Sequence, residues 1–147
     1  MKLPLLVRYE TEGEYRVHYE SVYCRKPIMT FDGIEVRFRK NCFDHCFFES
    51  SNRDSNKDKF SWRRSERIDW IKAALKDPNA ELFVGWDNRR KRHDHSRRVA
   101  VVVENYIVII SMKDNTKAQF ITAFIADSDL SIKRIKQSPK WSDGKNK

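Results

Sequence analysis

No stretch of the chain approaches the roughly 18 uninterrupted apolar residues of a membrane-spanning helix, which argues against a helical anchor and a membrane partner. Met1-Lys2-Leu3-Pro4 also lacks the apolar region and small-residue cleavage site of a signal peptide, so the expected location is the cytoplasm. Cysteine is scarce: Cys24, Cys42 and Cys46 are an odd number and do not suit the disulfide framework of a small secreted domain. No internal repeat is evident, and no metal-binding or nucleotide-binding signature stands out.

What the chain has in excess is positive charge. Thirty Lys and Arg against 21 Asp and Glu give a net charge of +9, spread along the sequence. That favours a polyanionic partner, with nucleic acid ahead of an anionic membrane surface, although basic charge also serves solubility alone. At 147 residues one ordinary domain is expected.

Residues 3–40 carry short β-branched and aromatic runs, LLVRY, YRVHYESVY and GIEVRFRK, separated by the turn signals EGE and FDG. Alternation in IEVRFR argues for a half-exposed strand, and this first third is expected to be strand-rich. The aromatic segment NCFDHCFFE follows at 41–49, then a polar stretch at 50–58 that reads as a mobile loop. From Phe60 to Leu75 the spacing becomes helical and stops before Pro78, with Arg64, Arg67, Ile68, Ile71 and Leu75 on one stripe. ELFVGWD at 81–87 reads as a strand, and NRRKRHDHSRR as a solvated loop. RVAVVV, YIVIISM and QFITAFIA then form three apolar runs with short connections, an antiparallel meander whose first two strands are central. The tail at 142–147 is expected to be disordered.

Four groups of residues invite a chemical reading. CFDHC sets two thiols and His45 within five residues, but the second close pair that a closed zinc site commonly uses is missing, and small buried thiols are the commoner role. Arg64 and Arg67 lie on the stripe that should face the core. A buried guanidinium needs a partner, and either a phosphate clamp or ion pairs with, for example, Glu49 or Asp87 would supply one. His45 is a general acid or base by chemistry and a packed residue by setting. Thr122 sits between Phe120 and Phe124 on what simple alternation makes one strand face. It either fills a β-branched site or donates to a phosphate oxygen.

FDHCFFES, KDKFS, RRSERIDWIK, VGWD, RRVAVVVENYIVII, KAQFITAFIAD and a closing PKW together resemble the phage and mobile-element branch of the barnase, EndoU, colicin and RelE-type ribonuclease superfamily, over about residues 40–141. The resemblance implies an α+β fold with a helix packed on an antiparallel sheet of four to five strands. The ribonuclease-like core would span 41–141, with residues 1–40 as a strand-rich extension of the same domain. It implies a toxin-like, metal-independent endoribonuclease without cofactor, whose site lies on the exposed sheet face and which leaves a cyclic phosphate. RNA and an inhibitor or antitoxin protein would be its partners. Carried onto this chain, Thr122 is the last-strand hydroxyl, Arg64 and Arg67 are phosphate ligands, and His45 is an acid or base. Lys59, Arg98 and His95 are candidates for the remaining proton transfer, and Lys59 and Arg98 for phosphate contact.

Two other classes of function fit the composition. A non-catalytic nucleic-acid-binding module would stack bases on aromatics such as Phe47, Phe48, Trp62 and Trp86. An interaction protein would bind an acidic protein partner instead.

Overall fold

A computed structural model describes residues 3–49, 59–84, 86–87, 92–93, 98–126 and 128–140. The loop expected at 50–58 and the tail at 142–147 lie outside the described residues.

Helix α1, Glu12–Tyr19, begins at Thr11, whose hydroxyl accepts from the Glu14 N–H while the Glu14 carboxylate accepts from the Thr11 N–H. This capping box satisfies two donors that a helix start otherwise leaves free. The chain continues through a π-helical turn, Glu20–Cys24, before strand β1, Ile28–Met29, and strand β2, Glu35–Arg37. Helix α2, Cys42–Phe47, leads into a two-stranded ribbon of β3, Phe48–Glu49, and β4, Lys59–Phe60. Two helices follow: α3, Trp62–Ser65, and α4, Ile68–Lys76. Strand β5 spans Glu81–Val84, and a second ribbon pairs β6, Trp86–Asp87, with β7, Arg92–His93. The meander of β8, Arg98–Val103, β9, Tyr106–Met112, and β10, Lys117–Ile125, precedes helix α5, Asp129–Lys136.

The architecture is α+β. Its main sheet has six strands in the order β1-β2-β10-β9-β8-β5, and it is mixed, because β2 runs parallel to β10 while the other pairs are antiparallel. Four to five purely antiparallel strands were expected; the first third of the chain supplies the two extra ones. The strand-rich reading of that third also needs correction. Tyr15, Tyr19 and Tyr23 are spaced by four and all buried, so YRVHYESVY forms a helix and its π extension rather than a strand. GIEVRFRK does contain the strand expected there.

One face of the sheet holds the main core, where Val99, Val101, Val108, Ile110 and Phe120 meet the tyrosines of α1 and Ile68, Ile71 and Leu75 of α4. Residues 3–40 therefore contribute to the core. The other face carries a smaller cluster, Phe83, Ala100, Val102, Ile107 and Ala126, on which Ile132 and Ile135 of α5 pack. The exposed sheet face implied by the resemblance is thus partly covered by a helix that the sequence pattern did not reveal.

Candidate active site at the free edge of β10

Strand β10 has two partners for only part of its length. β2 pairs with Lys117, Ala118 and Gln119, while from Phe120 onward only β9 is bonded to it. Helix α2 lies along the edge left open, where the Cys42 thiol points at the Phe120 carbonyl at 3.5 Å and the Cys46 thiol at the Ala123 carbonyl at 3.6 Å. Cys46 is buried, as expected of these thiols, and Cys42 is half-buried. None of the three cysteines forms a disulfide, and among the described residues no group of three or more His, Cys, Asp or Glu is placed to hold a metal ion.

The register shifts between Phe120 and Thr122, with Phe120 opposite Ile110 and Thr122 opposite Ile109. Such a bulge places one extra residue, Ile121, in β10 and turns over the alternation. Phe120, Ala123 and Ile125 therefore face the main core, whereas Phe124, with Ile107 and Ile109, belongs to the second face, and Thr122 shares it through its pairing with Ile109. The simple alternation that grouped Phe120 with Thr122 and Phe124 fails at this one residue. The Thr122 hydroxyl oxygen is buried and has no hydrogen-bond partner.

The arginines sit at a break in the helix rather than on one continuous helix from Phe60 to Leu75. Ser61 caps α3 by accepting from the Arg64 N–H at 3.2 Å, and Arg67, with φ −100° and ψ 21°, is the non-helical residue from which α4 starts. Arg64 donates to the Cys46 carbonyl at 3.2 Å, and its guanidinium stands 5.9 Å from the ring centroid of Phe124, the neighbour of Thr122 on the same face. Arg67 donates to the Arg63 carbonyl at 2.6 Å and to Glu66 at 3.2 Å, and lies 5.1 Å above Trp70. Glu49, the ion-pair partner suggested for these arginines, contacts Arg63 at 3.2 Å, and the charge of Arg64 acts on it as well. The side chain of Asp87 lies outside the described residues. Burial pushes the Tyr106 phenol well above its ordinary range, and the nearby charges of Arg67 and Arg64 oppose that shift.

Arg64 Nε, Ser65 Oγ, Arg67 Nε and Thr122 Oγ1 are buried without hydrogen-bond partners. An unmet buried polar atom costs about 1–3 kcal/mol. Three of these four atoms come from four consecutive residues, and the fourth from the strand whose Phe124 lies beside Arg64. Of the three helix residues, Arg64 is the one brought beside this strand, by its contact with the Phe124 ring.

His45 lies on the exposed flank of α2. At about 100° per residue it stands roughly 60° from Cys42, on the side turned away from the buried Phe43 and Phe47. Lys59 is exposed in β4, opposite Glu49. Arg98 pairs in register with Ser111, but its side chain and the whole of His95 lie outside the described residues. Of the proposed stacking residues, Phe47 is buried, Phe48 is half-buried and Trp62 is 48% exposed, while the side chain of Trp86 lies outside the described residues.

The sequence pattern did not bring out a chain of polar contacts in which the Tyr9 hydroxyl meets His18 Nδ1 at 2.8 Å and His18 Nε2 meets Asp69 at 2.8 Å. It ties the N-terminal segment to α1 and α4. The T-x-x-E cap at Thr11 was the available signal that His18 stands on a helix.

The fold defines a basic α+β protein. No family model, curated protein or solved structure matches the chain. No helix among the described residues is long and apolar enough to cross a membrane.

Proposed function

We propose that the protein is an endoribonuclease that cleaves RNA by attack of a ribose 2′-hydroxyl on the adjacent phosphate. The observation that supports this reading is that Thr122 Oγ1 and Arg64 Nε are buried without hydrogen-bond partners, with the Arg64 guanidinium 5.9 Å from the ring of Phe124 on the Thr122 face. A scissile phosphate set at the β10 edge would take hydrogen bonds from Thr122 Oγ1 and the two guanidiniums, which stabilise charge developing on the phosphorane. The 2′-oxygen forms a bond to phosphorus as its proton passes to a base, the bond from phosphorus to the 5′-oxygen breaks, and an acid protonates that oxygen. The products are a 2′,3′-cyclic phosphate and a 5′-hydroxyl.

His45 takes one proton transfer from its exposed flank. The other falls to Lys59, Arg98 or His95. The reaction proceeds without a metal ion or cofactor, as the resemblance implies, in the cytoplasm, and an inhibitor protein would restrain it. Purified protein should cut mixed RNAs in EDTA, and Thr122→Ala or Arg64→Ala should abolish the cut. RNA left intact over a broad pH range would overturn the proposal.

A further inference from the structure

A second feature of the surface lies in the first third of the chain, which the resemblance leaves without a role. Arg25, Lys26, Arg37, Arg39, Lys113 and Lys117 line a groove of about 500 Å³ between the end of the π-helical turn, β2 and the turn from β9 to β10. No acidic residue lines it. Two acids stand nearby: Glu35, 3.2 Å from Arg37, and Asp114, whose carboxylate accepts from the Thr116 and Lys117 N–H groups. The other five cations make no ion pair among the described residues. Like charges drawn together in a concavity raise the local potential and favour a polyanion.

The groove's shape and lining narrow the choice of partner. Cations on the walls of a concave cleft reach a thin chain of phosphates, whereas a flat anionic bilayer would meet only the rim. Its aromatic lining, Tyr23 and Phe38, is 1% and 7% exposed, so neither ring offers a face to a base. Contact is therefore with the sugar-phosphate backbone, without base readout.

The register of the sheet connects this groove to the candidate active site. Arg37, Gln119 and Ser111 form one row across β2, β10 and β9, and Thr122 with Ile109 forms the next row on the same face. Gln119 and Thr122 are three residues apart along β10, about 10 Å of extended chain. Ile132 and Ile135 of α5 cover this face around Ile107 and Phe83, on the other side of Thr122. A strand leaving Thr122 away from α5 meets Gln119, then Arg37 and the groove.

We infer that the groove is a sequence-independent subsite for the backbone of the single-stranded RNA that flanks the phosphate held at Thr122; this rests on the ribonuclease reading. The test measures binding of a 2′-O-methyl oligoribonucleotide, which offers no attacking 2′-hydroxyl, over a range of salt. Wild type is compared with Lys26→Gln/Lys113→Gln/Lys117→Gln and with a charge-matched control, Lys72→Gln/Lys133→Gln/Arg134→Gln, each checked for native melting. The groove variant should bind about tenfold more weakly, and its plot of log K against log salt should be shallower by about 2, at roughly 0.7 per lost phosphate contact. The control should stay near wild type. A groove variant indistinguishable from the control, wild type that does not bind the oligonucleotide, or groove-dependent binding confined to phosphatidylserine vesicles would each overturn the inference. Groove-dependent binding together with intact unmodified RNA would keep the subsite and overturn the ribonuclease reading. Cleavage with groove-independent binding would do the reverse.

Discussion

Phe120 and Thr122, two residues apart in β10, face opposite sides of the sheet, because the register with β9 shifts between them. The aromatic ring enters the main core, and the hydroxyl is left buried without a partner on the other side. An unmet buried hydroxyl costs stability, and the proposed site gives it a phosphate oxygen to meet.

Thr122→Val should therefore separate stability from function. Valine keeps the β-branched shape and removes the unmet hydroxyl, so urea unfolding should show no loss, or a gain of up to about 1 kcal/mol. RNA cleavage should fall at least a hundredfold in the same protein. A loss of stability beyond about 1 kcal/mol would show that the hydroxyl is bonded in the free state.

Arg64→Lys should not restore what Arg64→Ala removes. Arg64 spends one donor on the Cys46 carbonyl and presents its face to Phe124, leaving Nε unmet. A lysine ammonium can replace the charge but not the planar set of donors. Cleavage rates for both variants should lie within about tenfold of each other and far below wild type, with melting temperatures close to native.

Both sites show why some of the molecule was legible and some was not. The meander was readable because RVAVVV and YIVIISM are apolar on both faces and joined by short turns. Thr122, Arg64 and Arg67 stood out in the sequence as polar groups in apolar runs, but their geometry depends on a one-residue bulge and a helix break that periodicity cannot show. In the first third, β propensity of the tyrosines masked their spacing of four and the capping box at Thr11. The groove joins residues far apart in sequence, Lys26 and Lys113, so no local pattern marks it.

His18→Ala tests the clamp between Tyr9 and Asp69. The change removes two contacts of 2.8 Å and strands a half-buried carboxylate and a phenol. Unfolding free energy should fall by about 1–3 kcal/mol. Hydrogen exchange should rise first at Val7, whose N–H donates to the Glu66 carbonyl at 2.7 Å. An unchanged stability would show that the clamp is solvated and idle.

Glu49 should shape the acid limb of stability. The Ser61 hydroxyl first, then the charges of Arg64 and Arg63, hold its carboxyl below the ordinary value of 4.5. A lowered folded value favours the ionised form, so the contribution is present above pH 4.5 and is lost as pH falls through the lowered value. Because Glu49 is about a third exposed, the effect is modest. Glu49→Gln should flatten the fall in melting temperature below pH 4.5, and an identical acid limb in the variant would contradict the assignment.

The central claim meets its most direct test in one reaction: purified protein and total RNA in EDTA, with the ends of the products mapped beside Thr122→Ala and Arg64→Ala. The account predicts 2′,3′-cyclic phosphate ends from the wild type and none from either variant. Intact RNA with wild type, or the same ends from a folded Thr122→Ala protein, would contradict it.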